Sequence, residues 1–144
     1  MVGAPMARTH LASCRHEAAH AVVLERFGGR FLSAQAPLLA KGKRRGFVEY
    51  GNMRKLGPVQ VSCVLMAGSV AEHLWHGTPK GLVSAYDMRD MQRQGMKGED
   101  FRIIWEETAR LLRGLKSEVW ALAEQLQSGE PVRRPTRRQG SKGS

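Results

Sequence analysis

Five residues of this chain have the types and spacing for metal chemistry: His16-Glu17-Ala18-Ala19-His20, an H-E-x-x-H pattern. The flanks, Leu11-Ala12 and Ala21 to Leu24, are apolar and suit a helix. On a helix, residues four apart lie one above the other on the same face. Two imidazoles so placed can bind one zinc ion, and the adjacent carboxylate of Glu17 can reach water held there. Zinc lowers the pKa of such a water to about 7, so a carboxylate can take its proton at neutral pH. The same five residues could also be an ordinary helix with two solvent-facing histidines, so the rest of the chain must decide.

A catalytic zinc keeps three protein ligands and one open position. The motif supplies His16 and His20. The third ligand has to come from another element. The chain has three aspartates, Asp87, Asp90 and Asp100. Asp87 opens a predicted helix after a linker, where a side chain can be aimed back at a neighbour. Glu72, His73 and, less well placed, His76 on the long apolar helix are rivals. Two imidazoles and a carboxylate also accept iron, cobalt or nickel.

The elements that must position these groups are readable from periodicity and caps. Thr9 is a good N-cap for a helix over about 10–27, which Gly28-Gly29 ends. Residues 31–36 and 46–50 read as two short strands that can pair as a hairpin, joined by a basic loop from Pro37 to Arg45. On the second strand, Phe47 and Glu49 share one face, and Val48 and Tyr50 the other. An edge strand beside a metal could receive an extended peptide, or it could only cover the core. Pro58 suits the first turn of a helix over 59–76 with a broad apolar face. Gly68 in mid-helix costs about 1 kcal/mol relative to Ala, which close packing against the first helix would explain. Ser84-x-x-Asp87 reads as a capping box for a helix to about Gln94. Apolar residues at helical spacing give helices over 101–112 and 115–126. Met66, Met88, Met91 and Met96 read as core filler. The fold class expected is α+β, mainly α, with a small antiparallel sheet. Residues 1–8 form a flexible lead-in, 9–127 one domain, and 128–144 a disordered basic tail.

The net charge is +10 in 144 residues. Much of it sits at Lys41, Lys43, Arg44 and Arg45 and in the tail at Arg133, Arg134, Arg137, Arg138 and Lys142. Such patches attract nucleic acid or an anionic membrane surface. No aromatic residue interleaves the tail arginines, so base stacking there has no platform, and nucleic acid is not expected as the main partner. Cys14 and Cys63 form no CxxC pair, which leaves neither a disulfide framework nor a thiolate zinc site; a reducing cytoplasm is the expected compartment. No signal peptide is read in the first residues. No run of about 18 apolar residues provides a transmembrane segment.

Taken together, these stretches resemble the peptidase domain of the FtsH-type ATP-dependent zinc metalloproteases. That family carries HEAGHA, and this chain has His16-Glu17-Ala18-Ala19-His20-Ala21. A G-[YF] pattern follows in the family; Gly46-Phe47 matches it. The family helix L-x-G-R-x-A-E-E-L-x-x-G is similar to the stretch from Leu65 to Gly77, which keeps Gly68, Ala71, Glu72, Leu74 and Gly77. The family's T-G-A-x-x-D ends on the third zinc ligand, and Asp87 stands at that place. The agreement in element order covers about 12–127. The chain departs at Ala19 (Gly in the family), at His73 (Glu) and at Leu82 to Tyr86, which keep little of T-G-A. No GxxxxGK[ST] is present in these residues, so the resemblance is to the peptidase part alone.

The resemblance implies a metalloendopeptidase. His16, His20 and Asp87 would hold Zn2+, and Glu17 would act as general base, with Glu72 a structural helix residue. An oxyanion donor is required and the sequence does not name it; His73 and His76 are the available imidazoles. Substrates would be peptides or unfolded chains, including clients delivered by a separate ATPase or adaptor. The rival readings are a catalytically inactive adaptor of the same fold, and a basic module for nucleic acid or membrane surfaces.

Overall fold

A computed structural model describes residues 9–37, 46–51 and 53–134. The lead-in 1–8, the cationic stretch 38–45 and residues 135–144 lie outside the described residues. The elements run α1 (His10–Arg26), β1 (Phe31–Gln35), β2 (Phe47–Tyr50), α2 (Pro58–His76), α3 (Ala85–Arg93), α4 (Phe101–Gly114), α5 (Lys116–Leu126) and β3 (Val132–Arg133). Short 3-10 turns precede α2 and α4. The chain is thus mainly helical with one small antiparallel sheet, as its periodicities predict.

Two helices form the centre. α2 is buried continuously from Val61 to Glu72, which only a helix apolar on all sides can tolerate. α1 is nearly as deep, with Ala12 to Leu24 buried except at Arg15. α1 packs on α2, on α5 and on the sheet, while α4 and α3 pack on α2. Local chemistry sets the ends. The Thr9 hydroxyl accepts from Ala12 N–H at 3.0 Å to start α1. Pro58 occupies the first turn of α2, and Gly77, at φ +77°, ends it in a conformation that costs glycine little. Met66 and Met91 are fully buried, and Met88 and Met96 pack against the same core.

The sheet order is β2-β1-β3. Phe31 lies opposite Tyr50 and Ala34 opposite Val48, so β1 spends one more residue than β2 over the same stretch. The extra residue, Leu32, is a bulge, and it keeps Phe31 and Ala34 on one buried face although their spacing is odd.

β3 corrects the expected domain boundary at residue 127. Pro131-Val132-Arg133-Arg134 has the composition of a tail, yet Val132 and Arg133 pair with Ala34 and Ser33. Gln35 Nε2 donates to Gly129 O at 2.7 Å. Arg134 bonds Glu25 of α1 at 3.1 Å and lies over the Phe31 ring at 4.4 Å. The ordered unit therefore extends to Arg134 at least. Among the described residues, no helix is long and apolar enough to cross a membrane.

Candidate metal centre

The i, i+4 geometry of α1 brings His16 and His20 side by side, with their Nε2 atoms 3.2 Å apart. Each Nδ1 has a partner on α2. His16 Nδ1 donates to the Glu72 carboxylate in a short contact. His20 Nδ1 donates to the Val64 carbonyl at 2.7 Å. A carbonyl and a carboxylate are acceptors, so both Nδ1 atoms carry hydrogen. In neutral rings both Nε2 atoms then present lone pairs. Burial, and the neighbouring His16, push the His20 pKa down, which keeps that ring neutral. Two lone pairs facing each other at 3.2 Å cannot hydrogen-bond. They fit a cation: two nitrogens about 2.0–2.1 Å from one tetrahedral zinc stand about 3.3 Å apart.

Asp87 completes the set. Its Oδ2 lies 4.0 Å from His20 Nε2, and one donor atom from each of His16, His20 and Asp87 lies within 4.8 Å of the others. The two histidines are buried and Asp87 is half-buried. Ser84 aims it: its hydroxyl caps α3 by accepting from Asp87 N–H at 3.1 Å. The capping box read from the sequence is realised in its Ser84 half, while the Asp87 carboxylate faces His20.

Glu17, 7 % exposed, lies beside Gly46 at the start of the β2 segment. A Cβ built on Gly46 would stand 2.5 Å from Glu17 Oε2. The glycine therefore lets backbone approach the carboxylate closely. Gly68 does the same for His16: a Cβ there would run into the His16 ring.

Glu72 stands outside the His16, His20 and Asp87 group and meets His16 at Nδ1. It is the carboxylate that orients His16, the usual outer partner of a metal-bound imidazole. Val64, Gly68 and Glu72 are four residues apart, so they form one stripe of α2. The stripe meets α1 in reverse order, Val64 at His20 and Glu72 at His16, so the two helices run antiparallel there.

His73 and His76 lie outside the His16, His20 and Asp87 group, and both rings have other partners. His73 Nδ1 donates to Thr78 O at 2.8 Å, and its ring tilts against Trp105. His76 meets Arg15 at 3.4 Å, and burial followed by the Arg15 charge pushes its pKa down. Cys14 and Cys63 are buried free thiols outside this centre.

No family model matches the sequence, and no curated protein matches it.

Proposed function

We propose that this chain is a zinc-dependent endopeptidase, similar to the peptidase part of the FtsH-type proteases. One observation carries the reading. Two buried imidazole nitrogens and one carboxylate converge, and a second carboxylate, Glu17, follows His16 on α1 and lies against Gly46. The donor set, two nitrogens and an oxygen, suits zinc. When bound, the ion would polarise the scissile carbonyl and acidify water.

The chain's own residues do the remaining work. His16, His20 and Asp87 hold the ion. Glu72 and the Val64 carbonyl fix the two rings in the required tautomer. Glu17 takes a proton from the attacking water and returns it to the leaving amine. β2 is an edge of the sheet among the described residues, so an extended peptide can add to it as one more strand. These residues carry no phosphate-binding loop, so unfolding a folded client is work for another module or partner. Peptides and unfolded segments are the direct substrates.

Zinc stoichiometry on purified protein tests the centre. The wild-type chain should hold one equivalent, and His16→Ala, His20→Ala and Asp87→Ala much less. Undiminished metal in all three would end the proposal. Unfolded casein tests the activity. One zinc per chain without cleavage would point to a binding protein built on the same centre.

A further inference from the structure

The β2 segment touches the candidate centre at one end and leads away from it at the other. It begins at Gly46, where a Cβ would stand 2.5 Å from Glu17 Oε2. Glu49 is three residues further on, a span of about 10 Å in an extended strand. Among the described residues β2 is an edge of the sheet. A peptide added to that edge passes Glu17 near Gly46 and then runs alongside Phe47 and Glu49.

The backbone decides which residues of β2 would pair with it. Gly51 N–H donates to Arg30 O at 2.7 Å, so this N–H points toward β1. Along an extended strand the backbone groups alternate sides. Those of Phe47 and Glu49 therefore also point toward β1, where these residues lie opposite Gln35 and Ser33. Those of Val48 and Tyr50 point the other way, toward an added strand. Side chains alternate between the two faces of the sheet. Val48 and Tyr50 are half-buried against the core, whereas Phe47 and Glu49 are exposed. A strand held through Val48 and Tyr50 sets one side chain of its own directly across from Glu49 on the outward face. The Ser33 hydroxyl donates to Glu49 Oε1 at 3.1 Å and tethers the carboxylate to that face. Residues directly across from each other on neighbouring strands prefer opposite charges and are destabilised by like ones.

We propose that β2 selects substrate segments that carry Lys or Arg across from Glu49. This rests on the peptidase reading above. Glu49 is a specificity residue: it flanks the substrate strand and takes no part in breaking the bond. The net charge of +10 repels a basic peptide at long range. The selection is therefore positional. A basic residue helps only where it meets Glu49, and one residue to either side it projects to the opposite face.

Digestion of an unstructured peptide library by the full zinc-loaded chain, read by mass spectrometry, locates the scissile bonds. Lys and Arg should be enriched at one position about three residues from the bond, on one side of it only. Matched peptides with Lys, Ala or Glu at that position then give kcat/KM. Lys should exceed Glu by about 3–30-fold, one attractive pair set against one repulsive pair. High salt should shrink the ratio, and moving the Lys by one residue should abolish it. Glu49→Gln should remove the preference for Lys and Glu49→Lys should invert it, with zinc content and the rate on the Ala peptide unchanged. A preference for Lys that survives Glu49→Lys, one that follows Lys to any position, or no preference at all would overturn the proposal and leave the peptidase reading standing. A zinc-loaded wild-type chain that cleaves nothing in the library would remove the peptidase reading, and this selection with it.

Discussion

A histidine ring has two nitrogens, and the bond made by one decides what the other can offer. At His16 that decision belongs to Glu72. Glu72→Gln leaves an acceptor for Nδ1 but removes the charge that strengthens the ring as a ligand. Zinc affinity, measured by competition with a chromophoric chelator, should fall about 10–100-fold. Glu17 predicts the opposite pattern. Glu17→Gln should bind zinc as the wild type does and lose at least about 10²-fold in kcat. Retained turnover would remove Glu17 from the mechanism. Cys14 sits on the same helix, and burial, with the Glu17 charge adding to it, pushes its thiol up to about 11. The folded state therefore holds this proton at pH values where the unfolded chain has released it. The resulting stability is complete below the ordinary thiol range and is lost as pH rises toward about 11. Cys14→Ala should flatten that alkaline limb in part, since the buried Cys63 thiol is shifted the same way; denaturant unfolding at pH 8 and pH 10.5 would read it.

Between elements, α2 passes close against His16, and that approach depends on a hydrogen atom at position 68. In an open helix, Gly→Ala gains about 1 kcal/mol. Gly114, at the end of α4, has open space around it, and Gly114→Ala should gain part of that. Gly68→Ala should instead cost roughly 1–3 kcal/mol, because the new methyl group forces the His16 ring or the helix pair to shift. It should weaken zinc binding as well. Urea unfolding of both variants without metal checks the contrast, and a stabilised Gly68→Ala would contradict the packing described. These elements differ in how much of them can be read from the sequence. Five helices and the hairpin announce themselves, because caps such as Thr9 and Ser84 and apolar periodicity are local signals. β3 does not, since two residues among Pro, Gly and Arg have no period, and their pairing with β1 is decided roughly a hundred residues away along the chain. The same distinction divides the site. His16, Glu17 and His20 are fixed relative to one another by one helix. Asp87 could be singled out only through the family resemblance, and the Val64, Gly68 and Glu72 stripe takes on meaning only once the antiparallel pairing of α1 and α2 is known.

At the scale of the whole molecule, a net charge of +10 gives any polyanion a weak, salt-sensitive attraction that owes nothing to the metal. Metal binding has a different signature, because its ligands come from two elements of unequal security. α1 is deeply buried, whereas α3 contributes a single buried residue, Met91. An ion held by His16, His20 and Asp87 fastens the less buried helix to the more buried one. The unfolded chain has no such convergence, so metal that binds the folded state adds directly to stability. Zinc at about 100 times its Kd should add about 2.7 kcal/mol. For a domain of this size that corresponds to a rise of roughly 5–11 °C in Tm. A chelator should reverse the rise, and His20→Ala should show none of it. Amide exchange gives the finer reading: zinc should slow it most over residues 85–93, the segment that the ion ties down. A rise in Tm spread evenly over the chain, with α3 no better protected than α5, would mean that the ion binds somewhere other than between α1 and α3.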